Sequence, residues 1–137
     1  MSSIEILTDQ WPACFVKIDG DQKLADFERY IAAFNELHER RERFAIVSYV
    51  KSYNTNREIV ARVGRWFKEI EPLIHAYWAS NAMVSPSAGF RFVLSTVYLI
   101  KPLHIPQRVC ATGEEALTFT QATWTGPAKL GRLRWPF

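Results

Sequence analysis

Glycine is scarce in this chain and never clustered, standing only at positions 20, 64, 89, 113, 126 and 131. That spacing excludes a Gly-x-Gly-x-x-Gly turn, a P-loop and a Gly-x-Ser-x-Gly elbow, and with them the common nucleotide cradles and hydrolase signatures. Cysteine is nearly absent. Cys14 and Cys110 both sit in apolar, strand-like runs, so no disulfide framework is expected and both read as buried, reduced thiols in a reducing compartment. The three histidines, His38, His75 and His104, include no i, i+4 pair and no accompanying Cys or acidic cluster in a ligand pattern. No metal and no cofactor are therefore expected. His38 reads as a favourable cation near a helix C-terminus, and His75 and His104 as surface or half-buried groups.

Long apolar runs are missing too. The longest, 90–103, is interrupted by Arg91 and Lys101 and is too short to span a bilayer, so no stable membrane insertion is expected. No charged-then-apolar leader opens the chain, and a cytoplasmic location follows as an expectation. Neither sign of charge dominates: a net +3 is milder than nucleic-acid modules usually carry, so no nucleic-acid partner is expected. The paired acids Glu69/Glu71 and Glu114/Glu115 suit solvated faces or helix starts rather than acid–base chemistry. The chain is not expected to be an enzyme.

What is present is a 48% hydrophobic, 23% charged sequence of 137 residues, enough for one core without staples. Its centre is 44–62, FAIVSYVKSYNTNREIVAR. The apolar start suits a buried strand, and Thr55-Asn56-Arg57-Glu58 reads as a capping box opening a helix after the polar loop 51–56. Around it, 4–8 and 13–19 read as a hairpin ended by Gly20. Leu24, Phe27, Tyr30, Ile31, Phe34 and Leu37 fall at helical spacing, with Asp21 the expected N-cap. The second helix buries Ile59, Val63, Trp66, Phe67 and Ile70, and Pro72 predicts a kink or break near Glu71. A short strand over 82–85 leads to a helix over 88–100, with Phe90, Val93, Leu94, Val97 and Tyr98 inward. A strand over 108–111 precedes Thr112-Gly113-Glu114-Glu115, a second capping box, and a helix facing inward with Leu117, Thr120 and Trp124. The order β-β-α-β-α-β-α-β-α predicts an α/β fold with a mixed, mostly parallel sheet over 1–125. Residues 126–137 form a basic and aromatic tail outside that topology.

This order, with FERYIAAFNELHERRERFAIVS (27–48) and VCATGEEALTF (109–119), resembles the SpoIIAA-like or STAS-like fold and small bacterial proteins of unknown function near that group. The resemblance implies a non-enzymatic regulatory or signalling module that binds another protein. Anti-anti-sigma members carry a phosphorylatable serine in an Asp-Ser-Ser/Thr-Gly-like turn after a central strand. The matching stretch here, 49–56, offers Ser52 and Thr55 as phosphoacceptors, but no acidic residue precedes them and no glycine follows.

A site in an α/β sheet belongs near the carboxyl ends of its strands. Tyr49, Lys51, Ser52, Tyr53, Asn54, Thr55 and Arg57 are accordingly the candidate partner-binding residues; the alternative is an ordinary connection whose asparagines suit turns. A rival function is binding or sensing a small apolar, lipid-like ligand, walled by Trp66, Phe67, Phe90 and Tyr98. The alternating cations and apolar residues of 129–137 could meet an acidic partner or a membrane surface, or pack back on their own domain or on a second copy in a homo-oligomer.

Overall fold

The computed structural model describes residues 3–52, 57–100 and 102–137. Its elements run β1 (Ile4–Leu7), β2 (Ala13–Ile18), α1 (Leu24–Glu39), β3 (Phe44–Val50), α2 (Arg57–Tyr77), β4 (Trp78–Val84), α3 (Ala88–Ile100), β5 (Gln107–Cys110) and α4 (Gly113–Thr123). The chain is thus α/β, in the expected element order. The five strands lie side by side in sequence order, β1 antiparallel to β2 and every later pair parallel.

Strands that follow one another in a single direction, each joined by a crossover of the same hand, put their connecting helices on one face. Here α1 and α2 fill that face. Phe27, Ile31, Phe34 and Leu37 of α1 and Ile59, Trp66, Ile70 and Ile74 of α2 are buried against Cys14, Val16, Ile46, Val50 and Trp78. The period-2 alternation of the strands sends Ala13, Phe15, Val47, Ala82, Val84 and Cys110 to the opposite face, where Ala116 of α4 and Leu130 are buried with them. Residues 126–137 form no strand but cover this second face. Leu133, Trp135 and Phe137 pack down, the rings of Trp135 and Phe137 lying 6.3 and 6.5 Å from that of Phe15. Gln10 donates to the Arg134 carbonyl and accepts from its N–H, both at 2.8 Å, which fastens the tail.

Several sequence expectations need correction. Of the kink or break expected near Glu71, a break does not occur: α2 is continuous from Arg57 to Tyr77 with Pro72 inside it. The carbonyl that loses its partner belongs to Lys68, which is exposed like Pro72 itself, so water can satisfy it. β4 begins at Trp78, four residues earlier than expected and directly after α2. The N-cap of α1 is Lys23, not Asp21; the Asp26 carboxylate reaches back to accept from the Lys23 N–H at 2.8 Å. At the last helix Thr112 does cap, accepting from the Glu115 N–H at 3.3 Å. The expected cap at Thr55 lies outside the described residues.

His38 is not a solvated cation. It is buried and accepts a hydrogen bond on Nε2 from the Trp78 indole N–H at 2.9 Å. Burial holds its pKa below the ordinary value, so the ring is neutral with its proton on Nδ1. The largest departure is α3. Phe90, Leu94 and Tyr98 are half-buried, whereas Val93 and Val97 face solvent, and no residue of the helix is fully buried.

Candidate functional site

The carboxyl ends of β2 and β3 are neighbours in register, Ile18 opposite Val50, so the turns that follow them must meet. The Ile18 carbonyl accepts from the backbone N–H of Lys51 at 2.9 Å and of Ser52 at 3.4 Å. Gly20 makes the turn after β2 with φ +82°, a left-handed conformation that a side chain would strain. In that pose its N–H points at both the Ser52 hydroxyl oxygen, 2.7 Å away, and Asp19 Oδ1, 2.8 Å away. The Ser52 hydroxyl has its acceptors, Asp19 Oδ1 and the Gly20 carbonyl, each at 3.2 Å. Beneath them Gln22, 2% exposed, donates from Nε2 to the carbonyls of Gly20 and Ser52. Two loops are thereby held as one braced surface. Lys51 Nζ stands 4.0 Å from Asp19 Oδ2 in an exposed pair that contributes little to stability.

Of the candidate partner-binding residues, the structure brings Lys51 and Ser52 together on this surface, both exposed, and places exposed Arg57 at the start of α2. Tyr53, Asn54 and Thr55, the last also a candidate phosphoacceptor, lie outside the described residues. Tyr49 is turned to the other face of the sheet and half-buried, its ring 5.8 Å from Trp135 and 6.1 Å from Phe137. Asp19 and Gln22 did not stand out in the sequence as site residues, and Gly20 only as the end of a hairpin. An Asp-Gly-Asp turn signal was visible, but the pairing that joins it to Ser52 exists only once β2 and β3 lie side by side.

The four residues assigned to an apolar ligand sit on the first face. Trp66 is buried, donates its indole N–H to Asn35 Oδ1 at 3.1 Å and packs against Tyr30, Phe34 and Phe67. Phe67 and Phe90 are half-buried against the same core, and the Tyr98 hydroxyl lies 2.7 Å from Met83 Sδ. A surface groove of about 440 Å³ opens elsewhere, lined by Asn35, His38, Glu39, Arg41, Leu73 and Tyr77. None of the four lines it.

Other reactive groups are dispersed. Cys14 and Cys110 are free, buried and on opposite faces; burial pushes their thiols up to about 12 and about 11, far from the thiolate a nucleophile needs. His75 and His104 stack at the surface with centroids 6.2 Å apart. Among the described residues no three His, Cys, Asp or Glu side chains are placed to hold a metal ion, and no helix is long and apolar enough to cross a membrane.

Comparison with known proteins returned no matching family model, no matching curated protein and no matching solved structure.

Proposed function

We propose that this chain is a non-enzymatic regulatory or protein-interaction module of STAS-like type, whose partner docks on the Lys51–Ser52 loop and the start of α2. The observation that carries this reading is the brace between the two carboxyl-end loops. Ser52 and Gln22 fix the backbone of an exposed polar surface, so that Lys51 is presented with less conformational freedom to lose on binding. Lys51 beside Asp19 and the exposed Arg57 that opens α2 suit a partner whose contact surface is acidic overall.

Ser52 is also the favoured phosphoacceptor of this reading. A phosphate there would bring a charge of about −1.5 to −2 against the Asp19 carboxylate. It would also remove the hydroxyl proton that Asp19 or the Gly20 carbonyl accepts. Phosphorylation therefore acts by opening the brace, with the adjacent Lys51 left as a counter-charge for the new group. The test is partner capture with wild type and a Lys51→Glu/Arg57→Glu variant of matched circular dichroism and melting temperature. The reading expects one or more specific partners to be lost from the variant while the fold is kept. An identical partner set for both proteins contradicts it.

A further inference from the structure

α3 carries the one large apolar surface among the described residues that nothing in the chain covers. Phe92, Leu99 and Ile100 are 74%, 84% and 72% exposed, and Val93 and Val97 about half exposed. Together these five leave on the order of 600 Å² of apolar side chain in water, at the top of the range for a monomer's largest patch. It is also most of the ~800 Å² that each partner contributes to a standard interface.

The pattern on the helix indicates what covers it. At 100° per residue the exposed stripe is centred on Thr96, flanked by Phe92 and Ile100 one turn either way and by Val93 and Leu99 on its shoulders. The stripe is therefore nearly the same read in either direction. An antiparallel copy related by a two-fold axis at Thr96 sets Phe92 against Leu99 and Val93 against Ile100, twice each. That is the self-complementarity an isologous dimer requires.

Charge agrees. The one charged side chain of α3 is Arg91, which is half-buried and donates to the Ser85 carbonyl at 2.7 Å, so α3 itself puts no charge in the exposed stripe. The Thr96 hydroxyl already donates to the Phe92 carbonyl at 2.9 Å, which leaves its methyl group for the contact and no polar group stranded. A helix built to lie on a lipid surface instead carries several Lys or Arg along its polar side; α3 does not.

We propose that α3 is the interface of a homodimer, packed antiparallel on its own copy about a two-fold axis at Thr96. This face is separate from the Ser52 loop and the proposal does not depend on that reading.

Sedimentation velocity on the full chain over about 1 to 100 µM, with wild type and Thr96→Arg, tests it. Wild type is expected at twice the 15.9 kDa chain mass. Thr96→Arg, at an exposed position that the fold does not use, is expected to keep the circular dichroism and melting curve of the monomer. Two guanidinium groups at the axis are expected to weaken the dimer at least ~100-fold. Thr96→Cys adds a geometric readout, since both native cysteines are buried: mild oxidation is expected to cross-link it as a dimer. A wild-type monomer at the highest concentration overturns the proposal, including one that binds anionic vesicles or another protein through α3. So does a dimer that Thr96→Arg leaves intact.

Discussion

A histidine held neutral in a core makes stability depend on pH near neutrality. The His38 pKa lies below its unfolded value of about 6.5 because burial disfavours the imidazolium. The unfolded chain therefore binds the proton more readily than the folded one. The stabilisation is complete above about pH 6.5 and is lost progressively as pH falls from there towards the folded pKa. Urea titrations at about pH 7.5 and 5.5 should show wild type weakening across this window, and His38→Gln, which can still accept from Trp78, weakening less. Equal losses would contradict the assignment. Asp26 acts in a different window. Its carboxyl is held below its ordinary value, first by the Lys23 backbone N–H, so its contribution is present above the ordinary carboxylate range and disappears only in stronger acid. At the candidate site, Ser52→Ala removes a hydroxyl that accepts from Gly20 and donates to Asp19 or the Gly20 carbonyl. A loss of about 0.5–1.5 kcal/mol is expected from chemical denaturation, with faster amide exchange at Gly20.

At the scale of elements, α2 carries a proline that nothing in its packing requires. Pro72 is exposed within a continuous helix, so Pro72→Ala restores an N–H for the Lys68 carbonyl and should stabilise the protein by about 1–3 kcal/mol. Destabilisation in a melting experiment would mean the helix needs its proline. The tail behaves oppositely. A Cβ on Gly113 would overlap the Trp135 ring, so Gly113→Ala must push Trp135 off the sheet. It is expected to cost about 1–3 kcal/mol and to shift tryptophan fluorescence to the red. The same elements show what one dimension can carry. The order of strands and helices was legible because period-2 and period-3.6 apolar patterns are local. The continuity of α2 was not, because whether a proline breaks a helix depends on whether the orphaned carbonyl reaches water. The inward assignment of Val93 and Val97 failed for a related reason. A helix of nearly uniform hydrophobicity has no polar side to mark its outside, so periodicity could not say which half faces the sheet.

For the whole molecule, one sheet separates two unequal layers: α1 and α2 pack the first face, and α4 with residues 126–137 seal the second. That second layer explains why Tyr49 belongs to packing rather than to the exposed loop, which the alternation along β3 implied but could not weigh without the tail. The loop's position at the carboxyl end of β3 was legible from the strand–helix order; its brace to Asp19, Gly20 and Gln22 depends on strand adjacency and was not. What remains exposed and organised is the surface where Lys51 and Ser52 meet Asp19 and Gly20. The most direct measurement is quantitative affinity capture from cells of the source organism, comparing wild type with the folded Lys51→Glu/Arg57→Glu variant and with Thr96→Arg as a control altered on another face. The account predicts a partner retained by wild type and by Thr96→Arg and depleted at least ~10-fold by the charge reversal. A partner set unchanged by the charge reversal would contradict it.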